Sequence, residues 1–317
     1  MIRSAAMGVG VGVSAAIRRL MVVCAGGVLL AAPGAWGAPA PVQSRFFTSS
    51  DGVRLHYLEA GPAGAPTLVF VPGWTMPAWI WDRQIQAFAR TRHVVAFDPR
   101  GQGDSQIAPG GYEPGRRGQD IGELIQRLGP QPVALVGWSL GVLDALAYVR
   151  MSGDGHIAGL VLVDNSVGEE PAPSAAPTPA PAPARHAGGG HAARSGPTPR
   201  DQFVRGMFQT RQDAGYLRRL TQASLRTPAG AARLLRAYPW PRSAWREALH
   251  SVRRPVLYVI RPHLEAQART LVATDPFAES VVFPHAGHAL FVDEADRFDA
   301  LVADFLARRV WPGPKPS

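Results

Sequence analysis

Residues Gly137-Trp138-Ser139-Leu140-Gly141 place a serine between two glycines, after the apolar run PVAL and before the helix-like run VLDALAYV. A strand that hands over to a helix through Gly-x-Ser-x-Gly is the setting of a nucleophile elbow. The sharp turn holds the serine in a strained conformation, and the glycines remove side chains that would clash with the strand and the helix. A serine hydroxyl at its ordinary pKa is a poor nucleophile and needs a base beside it. The stretch HAGHALFVDE offers two, His285 and His288. Gly287-His288 opens a loop between the last predicted strand and the last predicted helix, toward the sheet edge where the elbow also lies, so His288 is the expected base. His285, directly after Pro284, is read as structural.

The elements that must position these residues alternate. Two strand-like runs flank Ser50-Asp51-Gly52, and Asp-Gly between such runs marks a hairpin. PTLVFVPG, HVVAFD, PVALVGW and IAGLVLVD are continuous apolar runs of the kind buried on both faces of a sheet. Between them lie the helical patterns WIWDRQIQAFAR, QDIGELIQRL and LGVLDALAYVRM. Strands alternating with helices imply a parallel sheet with helices on both faces. The alternation stops at Gly168 and resumes with RPVLYVI, EAQARTLVA, SVVFP and DEADRFDALVADFLARR. No repeat of fixed period is visible.

The interruption has two parts. Residues 168–200 are dominated by Pro, Ala and Gly and cannot bury enough surface to offset their ordering entropy, so an extended or disordered loop is expected. His186 and His191 lie there and are read as solvated side chains, not as metal ligands. Residues 201–252 carry four helical segments separated by Pro and Gly and are expected to form a small helical cap. The organisation predicted is a leader and linker over 1–40, a core over 41–167, the loop, the cap, a second core segment over 253–310 and a tail over 311–317. Arg18-Arg19 followed by LMVVCAGGVLLAAPGAWG has the basic, apolar and small-residue succession of a secretory signal. Export to the periplasm or the extracellular space is therefore expected, with no stable membrane association after cleavage. Cys24 is the one cysteine of the chain and leaves stability to packing, not to disulfides.

The formal charge of +9 comes from arginines scattered along the chain, with Lys315 the one lysine. Without a block of like charge or interleaved aromatic residues, nucleic-acid binding is not expected. No cofactor or metal is called for.

Four motifs in order resemble the α/β-hydrolase superfamily, in its capped subgroup of esterases, lactonases, cofactor-free haloperoxidases and dehalogenases. FVPGW resembles the family's His-Gly loop, with Pro72 in place of the usual His. FDPRGQGDS resembles its Asp-x-Arg-Gly-x-Gly-x-Ser turn, GWSLG its elbow and AGH its base. The resemblance spans about Arg45 to Arg309 and implies an α/β fold: a mostly parallel, eight-stranded sheet with helices on both faces and a small helical cap. It also implies an oxyanion hole from the amides of Trp74 and Leu140. The triad acid is left open by the sequence. The loop after PVLYVI reads Arg261-Pro262-His263-Leu264-Glu265, without the expected aspartate, so Glu265 is one candidate. Some capped members take the acid from the strand after the elbow helix, and here that strand ends in Asp164, the favoured choice. In the family, Asp98 and Arg100 lie in a structural turn. Asp275 reads as a loop residue and Asp293 as a charge at a helix N-terminus.

Trp74, Trp79, Trp81 and Trp138 cluster in sequence around the oxyanion loop and elbow, and Phe203, Phe208, Tyr238, Trp240 and Trp245 fall in the expected cap. Trp138 is the expected substrate contact, and the aromatic character points to an apolar or aromatic small-molecule ester. The expected reaction is ester hydrolysis through an acyl-enzyme. Lactone hydrolysis or perhydrolase and haloperoxidase-like chemistry are alternatives with the same machinery. A non-catalytic protein binding an apolar ligand is the alternative of another class. Dehalogenases and epoxide hydrolases use a carboxylate where this chain has Ser139.

Overall fold

The computed structural model describes residues 41–171, 197–237 and 239–313. The expected leader over 1–40, most of the Pro/Ala/Gly-rich segment with His186 and His191, and Tyr238 lie outside the described residues.

Eight strands form one sheet: β1 (Gln43–Thr48), β2 (Arg54–Ala60), β3 (Thr67–Val71), β4 (His93–Asp98), β5 (Val133–Trp138), β6 (Ile157–Val163), β7 (Val256–Ile260) and β8 (Ala278–Val282). Their order across the sheet is β1-β2-β4-β3-β5-β6-β7-β8. The hairpin β1–β2 forms around Asp51-Gly52, and β2 also pairs antiparallel with β4. Every other pairing is parallel. The central strands are buried on both faces, which is why they read as unbroken apolar runs and not as alternating ones.

Helices cover both faces: α1 (Asp82–Phe88), α2 (Pro114–Arg127), α3 (Leu140–Ser152), α4 (Pro199–Arg205), α5 (Ala214–Arg226), α6 (Ala229–Leu235), α7 (Arg242–His250), α8 (Glu265–Thr274), α9 (Leu290–Asp293) and α10 (Ala295–Phe305). One core face holds Leu135, Leu146, Leu160 and Tyr258 beneath α2, α3 and α8. The other holds Phe70, Trp81, Phe291 and Phe298 beneath α1 and α10. The buried ion pair of Arg117 Nε with Asp144 Oδ1, at 2.8 Å, ties α2 to α3.

Two details differ from the sequence expectation. The segment expected to be extended through residue 200 already turns helical at Pro199. There Thr198 and Asp201 cap each other's backbone amides, and Pro at the first helical position needs no acceptor. The last of the expected cap helices, α7, packs on α3 and contributes Trp245, Ala248 and Leu249 to the main core.

Parallel register sets up the site. Trp138 pairs with Val163, and Val163 pairs with Val259. The residues just beyond these strand ends, Ser139, Asp164 and Arg261, therefore come together at one edge of the sheet. The ladder continues past the strands, with Ser139 N donating to Val163 O and Asp164 N to Val259 O, both at 2.9 Å. No helix among the described residues is long and apolar enough to cross a membrane.

Candidate active site

Ser139 has φ 54° and ψ −118°, a conformation that costs a non-glycine residue on the order of 1–3 kcal/mol and persists only where its surroundings enforce it. The close approach of α3 to the strands does so. A Cβ on Gly137 would lie 2.3 Å from Gly141 O, and one on Gly141 would lie 2.4 Å from Val71 O. Asn165 Nδ2 holds the turn from outside by donating to Ser139 O at 2.7 Å, and Tyr258 Oη donates to Asn165 O at the same distance.

His288 Nε2 lies 2.8 Å from Ser139 Oγ, and His288 Nδ1 lies 2.6 Å from Asp164 Oδ2. An ionised carboxylate only accepts, so Nδ1 carries the proton and the neutral ring turns its Nε2 lone pair toward the serine. Trp138 Nε1 donates to His288 O at 2.8 Å, fixing the loop that carries the ring. His285 is exposed and is not among these contacts.

Asp164 is fully buried at its side chain. Burial alone would raise its pKa, but the hydrogen bond and positive charge of His288, together with Arg261, hold it below the ordinary carboxylate value. Arg261 donates to it twice, from the backbone N at 3.1 Å to Oδ1 and from Nε at 2.7 Å to Oδ2. Glu265, the other candidate acid, lies elsewhere: it is half exposed in the first turn of α8 and pairs with Arg269 at 2.8 Å.

Leu140 is the first residue of α3, where helix geometry leaves the amide without an intrahelical acceptor. The Trp74 amide also has no acceptor among the described residues. Next to it, Gly73 backs directly onto Ser139, since a Cβ there would lie 3.0 Å from Ser139 Cβ. The loop is pinned by Gln102, whose Oε1 accepts from Thr75 N at 2.5 Å and whose Nε2 donates to Gly73 O at 3.3 Å. Thr75, Ser139 and Asp164 are the non-glycine residues with positive φ among those described, and all three lie at this site.

A pocket of about 290 Å³ opens onto Ser139 and His288, with Trp74, Trp138, Phe203 and Arg236 in its wall. The other aromatic candidates are elsewhere. Trp81 is fully buried and stacks on Phe291 at 3.8 Å, Trp79 and Phe208 pack on Tyr216, and Trp240 packs on Trp245. Asp98 accepts from Ala78 N, Asp104 N and His56 Nδ1, while Arg100 is enclosed by Asp51 and Asp120. Both serve the turn. His56, Asp98 and Asp104 have oxygen and nitrogen atoms close enough for a cation, but Asp98 is already satisfied by protein donors and Asp104 pairs with Arg226.

Sequence reasoning missed Arg261, Asn165 and Asp293. The first two sit next to or in register with Asp164, so strand pairing is the signal that finds them. Asp293 reads as a helix charge but ends α9 and accepts from Gly287 N and Gln209 N, both at 2.7 Å. It thereby ties the His288 loop to the chain after α4.

A doubly wound α/β sheet with a strained serine at a strand–helix turn, a histidine against it and a buried carboxylate behind is the arrangement of a hydrolase that works by nucleophilic catalysis. The model of the alpha/beta hydrolase family matches residues 68–301, and the chain belongs to that family. It is 32% identical over 119 residues to a bifunctional esterase/perhydrolase of Acinetobacter calcoaceticus, a match covering 37% of this chain and 43% of that one. It is 32% identical over 117 residues to a non-heme chloroperoxidase of Streptomyces lividans, covering 37% and 42%. The chain thus spans less than half the length of these relatives. An esterase structure from Rhodococcus sp. superposes with a TM-score of 0.67 at 21% identity, covering 84% of this chain and 99% of that one, and shares the fold.

Proposed function

We propose that the protein is a serine hydrolase that cleaves a small carboxylic ester through an acyl-enzyme. The observation that carries this reading is the continuous chain Ser139 Oγ, His288, Asp164, with contacts of 2.8 and 2.6 Å. His288 Nε2 takes the hydroxyl proton as Ser139 Oγ attacks the ester carbon. The imidazolium formed is stabilised by Asp164, itself held ionised by Arg261. The charge that develops on the carbonyl oxygen is met by the amides of Trp74 and Leu140, the latter at the positive end of α3. His288 then returns its proton to the departing alkoxide. Water, deprotonated by His288, releases the acid and restores Ser139. Trp138 and Trp74 give the substrate its apolar contacts.

Fluorophosphonate labelling of the intact protein and of Ser139→Ala, alongside turnover of p-nitrophenyl esters, tests the reading. Labelling and turnover that both disappear with Ser139 support it. Labelling that persists in the variant removes it, and binding without any turnover returns the protein to a ligand-binding role. Perhydrolysis is the second reading: the relative named an esterase/perhydrolase favours it, and hydrogen peroxide replacing water at the acyl-enzyme would release a peracid and free serine. Export is part of the proposal, supported by Arg18-Arg19 and the apolar run after them. N-terminal sequencing of the mature protein from a periplasmic extract checks it.

A further inference from the structure

The active-site pocket has a cation in its wall that the hydrolytic chemistry does not use. Arg236, at the C-terminal end of α6, lines the same pocket as Ser139 and His288, and its guanidinium lies 5.2 Å from the centre of the Trp74 ring. Arg200 approaches the same ring at 4.8 Å. A second cavity of about 620 Å³ adjoins, sharing Trp74 and Arg236 with the first and adding Arg200 and Arg233.

These arginines lack the carboxylate partners that several arginines of the fold have. Arg100, Arg117 and Arg261 each meet a carboxylate within 2.9 Å. Among the described residues no carboxylate lies within 4.0 Å of Arg200, Arg233 or Arg236. Residues 1–40, 172–196, 238 and 314–317 contain no Asp or Glu, so the rest of the chain adds no side-chain carboxylate. Arg233 and Arg236 are exposed, whereas Arg200 is half-buried and donates only to the neutral hydroxyls of Thr75 and Ser224, each at 2.9 Å. Removing a guanidinium from water without a counter-charge is costly. A ligand anion would relieve that cost at Arg200, and at Arg236 it would meet an exposed guanidinium with no carboxylate already competing for it.

We propose that Arg236, with Arg200 on the same tryptophan, recognises an anionic group on the substrate, so that the preferred substrates are short esters bearing a carboxylate. The inference rests on the hydrolase reading and narrows it from esters in general to acidic ones. The apolar walls from Met76, Phe203 and Met207 fit a short chain between ester and anion, since Ser139 and Arg236 line one pocket of about 290 Å³. Arginine matches a carboxylate in two parallel hydrogen bonds, so the recognition is geometric as well as electrostatic.

The test compares mono-p-nitrophenyl glutarate with p-nitrophenyl pentanoate, which have similar length and differ in charge. The intact protein is expected to favour the anionic ester in kcat/KM by about ten-fold or more, the range of a charge-assisted contact. Arg236→Gln is expected to abolish most of that ratio and Arg236→Lys to retain part of it. Raising the salt to about 0.5 M is expected to shrink the ratio by screening. A wild-type ratio at or below unity, or the same ratio in Arg236→Gln, overturns the proposal. Binding of glutarate and of neutral pentanol, followed by tryptophan fluorescence, gives a readout independent of turnover. If neither ester is cleaved but glutarate binds more tightly than pentanol and loses that advantage in Arg236→Gln, the hydrolase reading fails and the anion site stands. If glutarate has no advantage, the anion site fails.

Discussion

Arg261 Nε lies 2.7 Å from Asp164 Oδ2, the same oxygen that His288 Nδ1 approaches at 2.6 Å. One buried carboxylate oxygen therefore serves two donors, and the arginine reaches its other oxygen through its own backbone amide. Burial favours the neutral acid, whereas His288 and Arg261 favour the anion and prevail, leaving the folded-state pKa below the ordinary value. A depressed pKa stabilises the fold above the unfolded-state value near pH 4 and loses that contribution as pH falls through the lower folded value. Arg261→Gln leaves burial less opposed and moves the Asp164 pKa upward. The variant is expected to unfold at higher pH than the wild type in acid titrations followed by circular dichroism. Its kcat at neutral pH is expected to fall by about three- to ten-fold, since the orienting partner of the triad loosens.

Asp164→Asn and Glu265→Gln separate the two acids that the sequence leaves open. The amide cannot stabilise the imidazolium and can present the wrong group to Nδ1, so kcat on a p-nitrophenyl ester is expected to fall by about 10³–10⁴-fold. Glu265 faces solvent and holds only Arg269, and an exposed pair of this kind contributes little. Its Gln variant is expected to keep kcat within about two-fold and melting within a degree or two. Full activity in Asp164→Asn with collapse in Glu265→Gln would reverse the assignment.

The contrast between these two residues shows what the sequence could carry. Apolar runs and the Gly-x-Ser-x-Gly turn suffice for the sheet and the elbow, because both depend on local pattern and on the lack of space around Gly137 and Gly141. The acid depends on which strand tips become neighbours. Asp164 and Arg261 are 97 residues apart, and the pairing of β6 with β7 makes them adjacent. The wall of the pocket was less legible still. A tryptophan near the motif in sequence can be core, as Trp81 is, or pocket lining, as Trp74 is, and only packing decides. Arg236 is one exposed arginine in a chain rich in them, and only the position of α6, which sets it beside Trp74, marks it as pocket wall.

Asp293 joins the His288 loop to the segment after α4 through Gly287 N, Gln209 N and Thr210 N. Backbone hydrogen bonds to a carboxylate contribute about 1.5–3 kcal/mol each when both ends are held, so their loss should be felt in stability as well as in turnover. Asp293→Ala is expected to lower the melting temperature by several degrees and to reduce kcat by about ten-fold through a looser His288. Asp293→Asn, which keeps acceptor oxygen but not the charge, should fall between. Thermal melts and ester kinetics on the same samples check both; an Ala variant with wild-type kcat would show that the loop holds His288 without the tie.

Asp299 on α10 supplies a prediction of opposite sign to that for Asp164. Burial raises its pKa to about 6, against the hydrogen bond from Gln84 Nε2 at 2.9 Å and the charge of Arg83. A carboxylate whose folded pKa exceeds its unfolded value binds a proton more readily in the fold, so it costs stability above about pH 6, and the cost disappears as pH falls toward 4. Asp299→Asn keeps an oxygen for Gln84 and removes the charge. It is expected to stabilise the protein at pH 7.5 by about 1 kcal/mol, a figure reduced for the screening that its partial exposure allows, and by only about a third as much at pH 4.5. Urea unfolding at the two pH values reads the difference directly. Equal gains at both would trace the effect to packing of the amide, and a loss at pH 7.5 would mean that the charge is stabilising where it stands.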